Sequence, residues 1–309
     1  MEPGSLSRLA LVSIRRALLI ANPASRRGER ALSAALAAFR AAGVHVDVAL
    51  TERSGHAAMI ARERGALYDA VFSLGGDGTA MEVLPVLGAM QRPVGLLPGG
   101  TGNLIARALG IPLSVGRAVR VLLGGQERTI DLGILGDGRA FAFAAGVGID
   151  VRMLEYTPAH LKRRFGVFAY IVSGARAALA VRTFRVDATV DGERHTFQAA
   201  AALVTNFGSV LGGLFHLGPA IVPDDGVLDL CVFAPRTLTE TLRLGWRILR
   251  RDFAGASHMH FLRGREIHIE TTPVQPAQAD GELIGPTPLT CRVAPGAARV
   301  LVPGSSRPA

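Results

Sequence analysis

Two glycine-rich loops, each set between an apolar run and a helical stretch, confine this chain to a small set of folds. The first is Gly75-Gly76-Asp77-Gly78-Thr79 and the second is Pro98-Gly99-Gly100-Thr101-Gly102-Asn103. Residues 70–74 and 94–97 read as strands ahead of them, and residues 79–90 and 103–109 as helices behind them. Upstream, residues 17–21 read as a buried strand and 22–28 as a polar loop. Leu32, Leu36 and Phe39 give residues 29–42 a helical spacing that Gly43 ends, followed by a strand at 44–50 and a helix at 55–64. This strand–helix alternation predicts a parallel sheet with helices on both faces. Both glycine loops then fall at carboxyl ends of parallel strands, where α/β sheets bind ligands. Glycine lets backbone approach a ligand, and free N–H groups at a helix start form an anion nest. Each loop alone also reads as a tight turn, with Thr79 as the helix N-cap. Two on neighbouring strands favour a nucleotide phosphate site. Asp77 would repel phosphate unless a cation lies between, and Mg²⁺ resolves that conflict. No G-x-G-x-x-G follows the first strand, so a dinucleotide site is disfavoured; Asn22-Pro23-Ala24-Ser25 stands there instead.

Charge narrows the chemistry. Basic residues exceed acidic ones by 34 − 25 = 9, which suits polyanionic partners: nucleic acid, an anionic membrane surface or phosphorylated substrates. Lys162 is the sole lysine and Leu161 precedes it, so there is no Gly-Lys-Ser/Thr P-loop and no protein-kinase strand lysine. Cys231 and Cys291 have neither disulfide-framework nor zinc spacing, which reads as a reduced, cytosolic chain. The apolar stretch 9–14 ends at Arg15 and Arg16, too short for a signal core. The run 165–181 contains Arg176 and is too short to span a membrane. The expectation is a cytoplasmic protein that visits a membrane surface.

The pattern changes after about Gly124. Strands are predicted at 128–135 and 140–145 around the turn Gly136-Asp137-Gly138. A helix follows at 159–180, then short strands at 183–190, 195–205, 227–233, 258–263 and 265–270. One helix, 238–251, interrupts them. Turns every ten residues or so suggest an antiparallel sandwich or barrel. Thr272 to Ala279 reads as an irregular connector. The fold class is therefore an α/β first domain and a β-rich antiparallel second domain, divided as 15–126 and 127–287.

With these motifs in order, the chain resembles the diacylglycerol kinase catalytic-domain family, specifically bacterial lipid kinases, with sphingosine, ceramide and NAD kinases as more distant relatives. The resemblance rests on Asn22-Pro23-x-Ser25, Thr51, the Gly-Gly-Asp-Gly-Thr loop with Glu82, and the Pro-Gly-Gly-Thr-Gly-Asn loop with Ala106-Arg107. It continues through Thr205-Asn206, Gly212-Gly213, Asp225-Gly226-Val227-Leu228-Asp229 and Asp280-Gly281-Glu282.

The resemblance implies an NAD kinase-like ATP-binding domain and a β-rich lipid-site domain, with residues 288–303 open to returning to the first. It implies that Asn22, Pro23, Ser25 and Thr51 line the nucleotide. Gly75, Gly76, Asp77, Gly78, Thr79, Glu82, Gly100, Thr101 and Asn103 would hold phosphates, with Asp77 working through Mg²⁺. Glu282 matches the family's proton acceptor, and Asp280 would orient it or help hold Mg²⁺. Locally, Asp280-Gly281 is also a turn between strands. A second, structural Mg²⁺ maps to Asp225 with the carbonyls of Val222 and Val227; a plain turn there is compatible with it. Relatives often carry Asn where Met81 stands and Asp where Leu104 stands.

The implied activity is Mg²⁺-dependent transfer of the ATP γ-phosphate to a lipid hydroxyl, diacylglycerol-like or sphingoid. Rivals are a soluble-substrate kinase of the same superfold, NAD kinase-like, and a non-catalytic lipid- or nucleotide-binding regulator. The Asn-Glu pair and Thr-Pro-Thr-Gly-Ser segment of NAD kinases are absent, and intact Asp77, Thr101 and Glu282 favour catalysis. No nucleic-acid motif appears, so no nucleic-acid partner is expected. His258 and His260 share a strand face without a third ligand and read as surface residues. Trp246 reads as core, with a membrane anchor the alternative. Arg243, Arg247, Arg250 and Arg251 read as a solvated helix face, with anionic headgroups the functional alternative.

Overall fold

The computed structural model describes residues 13–24, 28–148, 183–210, 215–219, 221–253 and 258–304. The expected helix at 159–180, Ser25 and Gly212-Gly213 lie outside them. The chain forms two compact units. One holds the residues up to Leu132 and from Pro295 onward, and the other holds most of Gly133 to Ala294.

In the first unit, strands β1 (Arg16–Ala21), β2 (His45–Leu50), β3 (Ala70–Gly75) and β4 (Val94–Pro98) form a parallel sheet in the order β2-β1-β3-β4. Nearly every residue of β1, β3 and β4 is buried, which explains their unbroken apolar runs. Helix α1 (Gly28–Ala41) buries Ala31, Ala35, Ala38 and Phe39; the Phe39 ring meets Phe72 of β3 edge-on at 4.9 Å. Helix α2 (His56–Arg64) packs with α3 (Asp77–Ala89), and α1 packs with α5 (Val115–Leu123), a helix beyond those predicted. The short α4 (Leu104–Ala108) follows the second glycine loop. Helix α3 starts two residues earlier than expected: its N-cap is Gly76, not Thr79.

The second unit is an antiparallel sandwich, in keeping with the expected class. One sheet runs β14 (Met259–Gly264), β13 (Leu228–Phe233), β10 (Ala201–Thr205), β7 (Ala144–Val147), β16 (Pro276–Ala279) and β17 (Glu282–Pro286). The other contains β15 (Glu266–Thr272), β8 (Phe184–Val190) and β9 (Glu193–Ala199), with β6 (Ala140–Phe141) on β5 (Gln126–Leu135). Inward residues of both sheets, among them Phe141, Val186, Val204, Leu230, Ile267 and Cys291, close one core. The predicted strand 195–205 is two strands broken at Ala200, and part of the predicted connector is β16. Helix α6 (Leu238–Arg250) lays Leu244 and Ile248 on a second apolar cluster. Trp246, expected in the core, is 57% exposed: the helix turns its other apolar pair inward.

Strands β5 (Gln126–Leu135) and β18 (Leu289–Val302) pass from one unit to the other. The first part of β18 pairs with β15 antiparallel and its last part with β4 parallel, through Val300 and Val94. Both cysteines are free and buried. Among the described residues, no helix is long and apolar enough to cross a membrane.

Candidate active site

The strand order reverses between β1 and β3, and ligands of open α/β sheets bind outside the carboxyl ends at such a point. Asn22, Thr51, Gly75-Gly76 and Gly99-Gly100 all sit at those ends. Asn22 N–H donates to the Leu74 carbonyl (2.9 Å) and Thr51 N–H to the Ala21 carbonyl (2.9 Å). The Asn22 side chain accepts from Ala24 N–H (3.0 Å), shaping the turn in which Pro23 is exposed.

The two glycine loops hold each other backbone to backbone. Gly99 and Gly100 N–H groups both donate to the Gly75 carbonyl, at 2.8 and 3.1 Å. A Cβ on Gly100 would stand 2.6 Å from Gly76 Cα, and one on Gly75 would stand 2.4 Å from Thr79 Oγ1. These glycines are therefore required by packing as well as by ligand access. Helix α3 opens at the nest: its first bond, Ala80 N–H to the Gly76 carbonyl, leaves the preceding N–H groups without an intrahelical partner. Thr101 is exposed beside it.

Asp77 joins the starts of two helices. It lies in the first turn of α3, and its Oδ1 accepts from Ile105 N–H of α4 at 3.1 Å. Its Oδ2 stands 3.0 Å from where a Cβ on Gly102 would be, so glycine there keeps the carboxylate clear. A small, partly open cleft runs past Ser73, Gly76, Asp77 and Asn103 to the apolar Leu97 and Ile105. One hard carboxylate oxygen beside the N–H groups of a helix start fits a phosphate-bound Mg²⁺.

Two residues expected at the phosphates do other work. Both Glu82 oxygens accept backbone N–H groups at the start of α2, from Gly55 and Ala57 (2.9 Å each). Helix α2 begins at a left-handed glycine with no side-chain cap of its own, so Glu82 serves as its cap. Asn103 is buried in the left-handed region (φ 50°). It clasps Gly100 through both ends of its amide, accepting from Gly100 N–H at 3.0 Å and donating to the Gly100 carbonyl at 2.8 Å.

In the second unit, Asp280 and Gly281 form the two-residue turn between β16 and β17. Both have positive φ (48° and 90°), which Asp-Gly tolerates. The Asp280 carboxylate is held by backbone donors. Oδ2 accepts from Ala142 N–H (2.7 Å), and Oδ1 accepts from Phe143 N–H (2.8 Å) and Ala144 N–H (2.9 Å). The carboxylate anchors that backbone and with it the turn from which Glu282 follows. Glu282 opens the edge strand β17 with its side chain exposed. Arg139, which the sequence reading missed, donates to the Ile284 carbonyl at 3.2 Å. Its guanidinium pKa is raised chiefly by the Asp137 carboxylate and also by the charge of Glu282.

At the turn where a structural metal was expected, Asp225 is ion-paired through Oδ2 to the Arg263 guanidinium, and its Oδ1 accepts from Val227 N–H at 3.3 Å. Arg263 also reaches Asp229 at 3.2 Å. One guanidinium thus bridges two carboxylates. Asp229 is buried, and its Oδ2 has no hydrogen-bond partner. Burial drives its pKa up to about 6, against the pull of Arg263. Among the described residues, no cluster of three or more His, Cys, Asp or Glu forms a metal site.

Paired glycine loops at a sheet switch point, on a chain that continues into an antiparallel sandwich, define the NAD kinase-like class of fold. Residues 16–135 match the diacylglycerol kinase catalytic domain, and residues 144–302 match the YegS C-terminal NAD kinase beta sandwich-like domain. The chain belongs to this family of lipid kinases. It is 31% identical to a diacylglycerol kinase of Bacillus subtilis, over 89% of this chain and 92% of the relative. It is also 31% identical to a Pseudomonas syringae protein named "Probable lipid kinase YegS-like", over 94% and 95%. A solved structure described as a "putative diacylglycerol kinase" from Bacillus anthracis superposes with a TM-score of 0.80, at 25% identity, covering 94% of this chain and 97% of that one.

Proposed function

We propose that this chain transfers the γ-phosphate of ATP to the hydroxyl of a membrane lipid, working on the cytoplasmic membrane surface. The observation that carries this reading is the Asp77 carboxylate set among the N–H groups of the glycine nest. A phosphate chain needs those donors, and Asp77 would hold the Mg²⁺ that offsets its charge. Thr101 and Asn22 line the same end of the sheet, and Ser25 is proposed to join them. Glu282 accepts the proton of the lipid hydroxyl as its oxygen bonds to the γ-phosphorus. The bond from that phosphorus to the β–γ bridging oxygen breaks, ADP leaves, and Glu282 returns the proton to water. Its exposed position suits an acceptor that arrives from outside. Asp280 sets the turn that presents Glu282 and is a positioning residue.

The test is labelled ATP with total lipid extract and mass identification of the product. Glu282→Gln should lower kcat by roughly 10²–10⁴-fold and leave ATP affinity unchanged. A variant that keeps more than half its activity overturns the assignment. Label appearing only in a water-soluble acceptor overturns the lipid substrate.

A further inference from the structure

We infer that the outer face of α6 is the element that seats this protein on anionic bilayers. Among its described side chains the helix has two apolar pairs, each one turn apart. Leu244 and Ile248 pack inward on Leu203, Cys231, Phe233 and Met259. Leu242 and Trp246 point outward, each 57% exposed. A wholly aqueous helix face does not need that second pair.

The charges beside the pair choose its partner. Arg243 follows Leu242 directly, and the Arg250 guanidinium lies 4.9 Å over the Trp246 ring. The helix's one acid, Glu240, faces elsewhere: its carboxylate accepts from Arg236 and Thr237 N–H groups and lies 3.7 Å from His258. The outer face thus combines an indole, a leucine and two arginines without a carboxylate. Indoles settle at the headgroup level, and arginines reach from there to lipid phosphates. A protein partner would need acidic residues in register with both arginines, whereas a bilayer of anionic lipid supplies the charge at every position. The net charge of +9 favours the same approach.

The inference rests on the lipid-kinase reading, and its test can fail independently. Trp246 is the chain's single tryptophan, so its fluorescence reports this face alone. With full-length protein and vesicles of equal parts phosphatidylglycerol and phosphatidylcholine, emission should shift to the blue and be quenched by brominated acyl chains. Pure phosphatidylcholine should give neither effect, and a few hundred millimolar salt should reverse both, because the Debye length falls toward about 3 Å at 1 M. The Arg243→Gln/Arg250→Gln variant keeps the reporter and should bind anionic vesicles weaker by about fivefold per arginine. Leu242→Ser/Trp246→Ser should lose activity on vesicles yet keep it on detergent-dispersed lipid. Co-sedimentation with unchanged Trp246 emission would mean another surface docks. A blue shift that follows protein concentration without lipid would mean a second copy covers the face. Either overturns the inference. No phosphorylation of lipid in any form would reject the kinase reading, and the emission data would still judge the helix.

Discussion

Asp280→Asn separates a structural carboxylate from a catalytic one. The asparagine oxygen can keep the Phe143 and Ala144 N–H groups, now at 2.8 and 2.9 Å from Oδ1. Its NH₂ group must then face Ala142 N–H across the 2.7 Å now spanned by Oδ2. One charge-assisted bond, worth roughly 1.5–3 kcal/mol, becomes a donor–donor contact, and the other two weaken by about 1 kcal/mol together or somewhat more on losing their charge. Asparagine tolerates the left-handed backbone as well as aspartate does, so no strain is added. The sum is about 2.5–4 kcal/mol. At roughly 2–4 °C per kcal/mol for a unit of this size, the melting temperature should fall by about 5–16 °C. The assay is a circular dichroism melt of the full chain, run beside kinase activity well below the transition. An unchanged melt with abolished activity would refute the reasoning and return Asp280 to the reaction itself.

Three further outcomes follow from the geometry. Gly100→Ala places carbon 2.6 Å from Gly76 Cα, well inside the roughly 3.5–4.0 Å of ordinary contact. It should cost about 1–3 kcal/mol and weaken ATP binding, and a melt equal to wild type would contradict the loop packing. Asp77→Asn retains an oxygen for Ile105 N–H, so calorimetry should show intact folding but a selective loss of Mg²⁺-dependent ATP binding; equal loss with and without Mg²⁺ would reject the metal role. Asp229 has a raised folded pKa of about 6 against 3.8, so its neutral form suits the fold and stability is lost as pH rises through that window. Melts of Asp229→Asn at pH 5 and 7.5 should therefore move in the variant's favour by about 1 kcal/mol relative to wild type, and a gap that does not change with pH would remove burial as the cause.

The nest was legible because two glycine loops between strands and helices have few physical uses. Local periodicity located most strands and both long helices of the first unit for the same reason. Carboxylate partners were not legible. Asp280 meets amides 136–138 positions away, and Asp225 meets Arg263 38 positions away; nothing local marks either pairing. Glu82 followed a phosphate loop and looked like part of it, yet its position on α3 points it at α2. Trp246 was misplaced because α6 carries two apolar pairs at the same spacing, and only the packed sheet shows which one turns inward. The last strand was hidden by Pro295-Gly296, which reads as a break. Gly296 takes φ 61° and donates its N–H to Asp131 at 2.7 Å, so the strand bends there and continues.

That strand sets an order of events on the ribosome. β4 ends at Pro98, and its parallel partner, the Pro295–Val302 stretch of β18, emerges about 200 residues later. At roughly 5–20 residues per second, the first unit carries an open strand edge for about 10–40 s. Nascent chains stalled or cleaved before Pro295 would expose that edge permanently. Until that stretch emerges the sheet is unfinished, and translation speed through the second half sets how long its edge stays open.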